Sequence, residues 1–262
     1  MKSALETAQV DEILFHPLAS SGVKRAGVRV VTSSIEVEPG VTLQARLYAA
    51  DTPSPAVVWF HGNGEIAEDY DLLTPLFSAL GVSVLVWDYR GYGQSGGAPS
   101  AATLLSDARV AYAASFRTLE TNGLRPGSVF VAGRSIGSAP AIDVASSAES
   151  RPTGLIIESG FADTEALLRR AGWRPVGYEQ VGAGFDNLAK IARVRAPTLI
   201  LHGEEDQIIP VAEARQLHRH SISMRKRLVT IPGAGHDDLL DRAPRRYLEA
   251  LRSFIHDAAT SA

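Results

Sequence analysis

The chain has no cysteine among its 262 residues, which excludes a disulfide framework, a thiolate metal site and a cysteine nucleophile. Long apolar runs are missing too. Nothing approaches membrane-spanning length, and the opening stretch "MKSALETAQVDEILFHP" holds no apolar core of secretory size. The expectation is a cytoplasmic protein without stable membrane anchoring. Neither sign of charge is in large excess: a net charge of −3 and a pI near 6.2 give no general attraction to nucleic acid or to anionic membranes. There is no internal repeat and no low-complexity tract. What remains, 45% apolar and 21% charged, is the composition of an ordinary soluble globular protein. Its length suits one large α/β domain or two small ones.

Short apolar runs alternate with longer amphipathic stretches. "AVVWF" (56–60), "VSVLVW" (82–87), "VFVA" (129–132), "LII" (155–157), "TLIL" (198–201) and "LVTI" (228–231) read as strands buried on both faces. Leu72, Leu73, Leu76, Phe77 and Leu80 recur at helical spacing, as do Tyr247, Leu248, Leu251, Phe254 and Ile255. Such alternation demands a mostly parallel sheet with helices on both faces. Ahead of it, "GVRVVTSSIEVE" and "PGVTLQARLYAA" alternate in polarity and meet at Glu38-Pro39-Gly40, predicting an antiparallel hairpin. No linker-like break separates the two parts, so one domain over residues 1–262 is expected.

Two serines carry the pattern Gly-x-Ser-x-Gly, Ser95 in "GYGQSGGAP" and Ser135 in "VAGRSIGSAP". A nucleophilic serine of this kind sits where a strand turns directly into a helix, and the turn is so tight that side chains at −2 and +2 would collide. Ser135 meets the requirement: "SVFVA" runs straight into Gly133-Arg134-Ser135, and the small-residue helix "IGSAPAIDVASSA" follows at once. Pro140 falls near that helix's first turn, where a missing N–H costs little. Ser95 does not meet it. Its strand ends about seven residues earlier, and Gly96, Gly97 and Pro99 delay the next helix to about Ser100.

A serine hydroxyl needs a base to take its proton and a third group to orient that base. His236, in "PGAGHDDLL" after the last strand, stands between Gly233-Ala234-Gly235 and the final helix and is the candidate base. His202 reads as part of a strand-end turn, and His218, His220 and His256 as surface groups. "HGEEDQIIP" offers Asp206 as the acid, with Ile208, Ile209 and Pro210 behind it, while Glu204 and Glu205 face solvent. Glu158, in "IIESGF" after the preceding strand, is the rival acid. An oxyanion needs two backbone N–H donors. Ile136, the residue after the nucleophile, supplies one, and the "HGNGE" loop after "AVVWF" supplies the other at Asn63.

With "HGNGE", "VWDYRGYGQSGG", "VAGRSIGSAPA", "LHGEEDQIIP" and "IPGAGHDDLL" in this order, the chain resembles the α/β-hydrolase superfamily from about residue 27 onward. It looks most like the small α/β-hydrolase-domain proteins, which include protein depalmitoylases and bacterial esterases. The resemblance implies an α/β-hydrolase fold, with nucleophile Ser135, acid Asp206, base His236 and oxyanion donors Asn63 and Ile136. It also implies that "DYRGYGQS" is a structural loop. The depalmitoylases of that group carry a cysteine-rich segment for lipid attachment, and this chain has no cysteine, so a membrane-bound depalmitoylase is not expected.

The chemistry implied is hydrolysis of a carboxylic ester or thioester through an acyl-enzyme, without metal or organic cofactor. A serine nucleophile argues against dehalogenase and epoxide hydrolase activity. Acyl transfer, peptide hydrolysis and a non-catalytic binding protein of the same fold are the alternatives. Lids in this architecture follow the "LIIESGF" strand. Here residues 162–190 allow a small lid-like insertion at most, in which Trp173 and Tyr178 either line an acyl pocket or seal the core. Arg169, Arg170 and Arg174 could meet an anionic substrate, although such clusters, like that in "HRHSISMRKR", are ordinarily solvated surface. A small to medium acyl ester or thioester is expected, and the oligomeric state is not legible.

Overall fold

A computed structural model describes residues 8–22, 29–51, 54–174 and 184–260. Eight strands form one sheet: β1 (Val31–Glu38), β2 (Val41–Tyr48), β3 (Ala56–Phe60), β4 (Ser83–Trp87), β5 (Val129–Arg134), β6 (Gly154–Glu158), β7 (Thr198–Gly203) and β8 (Lys226–Ile231). Their order is β1-β2-β4-β3-β5-β6-β7-β8. The first two pairings are antiparallel and all others parallel. The expected hairpin is therefore present, and it extends the parallel sheet through β2 and β4.

The helices are α1 (Ala8–Leu14), α2 (Thr74–Leu80), α3 (Ala101–Thr121), α4 (Ser138–Ser146), α5 (Thr164–Arg170), α6 (Asn187–Ile191), α7 (Val211–His220), α8 (Leu239–Arg242) and α9 (Pro244–Ala259). Successive strand residues point to opposite faces, so each central strand feeds two cores. Val58, Phe60, Val131, Leu155 and Ile157 pack under α3 and α4. Val57, Trp59, Phe130, Ala132 and Ile156 pack with Tyr247, Leu251 and Phe254 of α9. That two-sided burial is why these strands read as unbroken apolar runs.

Two local departures from the sequence reading have plain causes. The stretch Ala67–Leu73 is a 3₁₀ helix, and the α-helix begins only at Thr74, where Pro75 suits the first turn. Leu72 consequently leaves the buried stripe and is 62% exposed. At the other end of the chain, α1 was not evident from the sequence. Val10, Leu14 and Phe15 fasten it into the core.

Candidate active site

The sharpest turn in the sheet follows β5. Ser135 has φ of +52°, a left-handed conformation that a residue with a Cβ adopts only under constraint. The flanking glycines supply room. A methyl group on Gly133 would strike the carbonyl of Gly137, and one on Gly137 would strike the carbonyl oxygens of Phe60 and His61. The Ser135 turn and the end of β3 are thus in backbone contact. In the Ser95 loop the roles are reversed: Gly93 and Gly97 hold the positive φ, and Ser95 does not. The Ser95 hydroxyl accepts the Gln44 N–H at 2.9 Å and donates to the Asp88 carbonyl at 3.2 Å, pinning its loop to β2.

Three side chains from three strand ends converge. The His236 Nε2 lies 3.0 Å from the Ser135 Oγ, and its Nδ1 lies 2.7 Å from the Asp206 Oδ2. Gly203, the last residue of β7, makes the approach possible, because a Cβ there would collide with the Ala234 and Gly235 carbonyls of the histidine loop. A carboxylate can only accept, so the ring proton belongs on Nδ1 and the Nε2 lone pair faces the serine hydroxyl.

Asp206 is buried, and burial by itself would raise its pKa. His202, His236 and the Ile209 N–H outweigh that influence and hold the carboxyl well below the usual carboxylate range. Its Oδ1 accepts from the Ile208 and Ile209 N–H groups at 2.9 and 2.8 Å. Of the two isoleucines, Ile209 is the anchor, fully buried, while Ile208 is half exposed. His202 is wholly buried beneath Asp206, its Nε2 3.3 Å from Oδ2 and 2.7 Å from the Ile209 carbonyl. The rival carboxylate is occupied elsewhere: Glu158 accepts from the Tyr247 hydroxyl at 2.6 Å and faces the Arg134 Nε at 3.3 Å.

Ile136 lies in the first helical turn after the strand, so its N–H has no acceptor within the helix. Asn63 is braced through its side chain. Its Oδ1 accepts from the His16 N–H and the Tyr92 hydroxyl, both at 2.8 Å. Behind it, Tyr89 donates to the His61 carbonyl at 2.7 Å. Beside this loop lies a groove of about 500 Å³ whose walls include Trp59, Asn63, Leu73, Leu239 and Leu240, with Arg134 and the acids Glu65, Asp69, Glu158, Asp237 and Asp241 among its polar lining.

Trp173 is 1% exposed and packs in the core with the Arg169 guanidinium 5.6 Å from its ring centre. It offers an acyl chain no accessible surface, which corrects the pocket reading in favour of the sealing one. Tyr178 lies outside the described residues. Arg169 pairs with Glu165 and Arg170 with Glu213, while Arg174 donates to the Arg169 and Trp173 carbonyls, so this cluster serves local structure. Among the described residues, no group of three or more His, Asp or Glu is placed to hold a metal ion.

Over residues 51–176 and 165–243 the chain matches the sequence profile of the family described as serine aminopeptidase, S33. The chain belongs to the α/β-hydrolase family. An uncharacterized protein of Mycobacterium tuberculosis is 30% identical to this α/β hydrolase over 96% of the chain and 89% of its own length. Human alpha/beta hydrolase domain-containing protein 17B is 30% identical over 76% of the chain and 65% of that protein. In fold, the Pyrococcus furiosus esterase Pf2001 superimposes with a TM-score of 0.74 at 18% identity, covering 93% of this chain and 97% of that one. A soluble variant of the Saccharomyces cerevisiae monoglyceride lipase gives 0.69 at 14% identity, covering 92% and 99%. Within this α/β hydrolase no described helix is long and apolar enough to cross a membrane.

Sequence reasoning overlooked three groups around the site, Arg134, Ser159 and His16, and read a fourth, His202, only as part of a strand-end turn. Arg134 stands inside the Gly-x-Ser-x-Gly pattern at a position the pattern leaves free. Ser159 follows β6 with φ of +47° and donates to the His236 carbonyl at 3.2 Å. Nothing in its neighbours "IIESGF" announces that.

Proposed function

We propose that this chain is a serine hydrolase that cleaves carboxylic ester or thioester bonds of small to medium acyl substrates through an acyl-enzyme. One observation carries the reading: the unbroken chain from the Ser135 Oγ through His236 to Asp206, with contacts of 3.0 and 2.7 Å. In the first step the His236 Nε2 takes the hydroxyl proton as Oγ attacks the carbonyl carbon, and the carbonyl π pair moves onto oxygen. The Asn63 and Ile136 N–H groups hold that oxyanion. One such donor is worth about 3–4 kcal/mol of barrier. Collapse expels the alcohol or thiol, which takes the proton from His236. Water then enters, gives its proton to His236, attacks the acyl carbon and frees the acid, returning the proton to Oγ.

Asp206 stays ionised throughout, orienting the ring and stabilising the imidazolium. The groove beside the Asn63 loop is the proposed acyl site. Its apolar wall of Trp59, Leu73, Leu239 and Leu240 suits a hydrocarbon chain, and of the acidic groups beside it Glu65, Glu158 and Asp237 are paired with Arg134, which lines the same groove.

Labelling with a fluorophosphonate tests the reading directly. The wild type should label and the Ser135→Ala variant should not; equal labelling of both, or none of the wild type, defeats it. A chain-length series of esters, thioesters and amides then fixes the bond and acyl size.

A further inference from the structure

The residue just before the nucleophile makes more connections than any motif requires. Arg134 ends β5, and its side chain turns back across the top of the sheet, 12% exposed. Nη1 pairs with Glu65, Nε lies 3.3 Å from the Glu158 Oε1, and Nη2 reaches both the Asp237 Oδ1 at 2.6 Å and the His236 carbonyl at 3.2 Å. These partners belong to three separate loops. Glu65 sits in the oxyanion loop and accepts the Gly62 N–H at 2.8 Å and the Tyr70 hydroxyl at 3.0 Å. Glu158 ends β6 and is tied to α9 through Tyr247. His236 and Asp237 are the loop of the proposed base. A Cβ on Gly62 would come within 2.9 Å of Nη1, so the guanidinium lies directly against the oxyanion-loop backbone.

We infer that Arg134 is a positioning residue which, through one guanidinium, fixes the oxyanion loop and the histidine loop relative to the serine that follows it. The inference rests on the hydrolase reading of the site. The oxyanion loop and the loop of the proposed base come from segments about 170 positions apart in sequence, Gly62 and His236. Only a planar fork with donors at three nitrogens can hold both at once. A lysine, with one ammonium on a flexible stem, can satisfy one side at a time. Without any cation, Glu65, Glu158 and Asp237 would face one another uncompensated beside the proposed base. A misplacement of about 1 Å in such a site costs on the order of 10²-fold in rate.

The test compares wild type with Arg134→Lys and Arg134→Ala using a short-chain p-nitrophenyl ester, with melting temperature recorded alongside. Both variants should lose on the order of 10²-fold in kcat, because both loops move. Since Arg134, Glu65, Glu158 and Asp237 also line the proposed acyl groove, KM should shift too, but by less than kcat. Millimolar ethylguanidinium should restore part of the Arg134→Ala rate, and ethylammonium should not. Should the alanine variant fail to fold, Glu65→Gln decides. Its loss should largely vanish in the Arg134→Lys background, since both changes break one connection.

Full activity of Arg134→Lys, a loss confined to KM, equal rescue by both cations, or additive Glu65 and Arg134 effects would each overturn the inference while leaving the hydrolase reading standing. A wild type that neither turns over the ester nor labels with fluorophosphonate would overturn both.

Discussion

Ser135 and Ser95 can be told apart by stability alone, without measuring catalysis. Ser135 holds φ of +52°, where a residue with a Cβ pays about 1–2 kcal/mol that glycine does not. Glycine gives back about 0.4–1 kcal/mol through the greater freedom of its unfolded chain. Ser135→Gly and Ser135→Ala both lose the hydroxyl and its contact with His236, so their difference isolates the backbone. Ser135→Gly should be the more stable by about 1 kcal/mol, or roughly 2–4 °C in melting temperature for a protein of this size. At Ser95, where the neighbouring glycines already take the positive φ, the order should invert: Ser95→Gly should fall below Ser95→Ala by about 0.4–1 kcal/mol. Urea and thermal unfolding of the four variants measure both differences. Both Ser95 variants should label with fluorophosphonate and neither Ser135 variant should. If Ser135→Ala proves more stable than Ser135→Gly, the strained turn is not where the structure puts it.

Asp206→Asn should lower kcat by about 10⁴-fold, the cost of a base held in the wrong tautomer, whereas Glu158→Gln should cost far less; the reverse order in steady-state kinetics would reassign the acid. Because Asp206 is held below the ordinary carboxylate range, its protonation should add no break to the profile of kcat/KM above about pH 4; a break at the free-aspartate value would contradict this. Tyr92→Phe removes a hydrogen bond to Asn63 and one from the His16 N–H, worth about 1 kcal/mol of stability, so melting temperature should fall by about 2–4 °C and kcat/KM should drop as the Asn63 loop loosens.

Far from the site, Asp143 on α4 pairs with Arg109 of α3 and Lys190 of α6. Burial works to raise its pKa, but these two partners outweigh that and lower it. A depressed carboxylate stabilises the fold above its unfolded value and loses that contribution as pH falls. Asp143→Asn should therefore cost about 2–3 kcal/mol near neutrality, less than a fully enclosed pair because Arg109 is half exposed. The gap from wild type should close as urea unfolding is repeated toward pH 3.

The sheet was legible because burial on both faces writes an apolar run that little else imitates, as "AVVWF" and "TLIL" show. The sharp turn at Ser135 was legible because Gly133 and Gly137 are there for space, and space is a requirement a sequence states openly. What stayed hidden were side chains whose partners lie far along the chain. Nothing near Arg134 predicts Glu65 or Asp237, and nothing near His202 says that it underlies Asp206. Leu72 misled for the opposite reason: its helical spacing is genuine, but a 3₁₀ turn of three residues rotates it out of the stripe. Trp173 was ambiguous since an aromatic at a domain edge obeys the same local pattern whether it meets core or ligand.

The contact between His16 and Asn63 carries a consequence for handling this protein. The His16 main-chain N–H donates to the side-chain oxygen of Asn63, 47 positions downstream, so clipping the chain ahead of Pro17 would slacken the stretch proposed to steady the charged oxygen. A preparation nicked there would lose turnover out of proportion to any fall in its melting point, and intact mass should be checked before a weak batch is blamed on the wrong substrate.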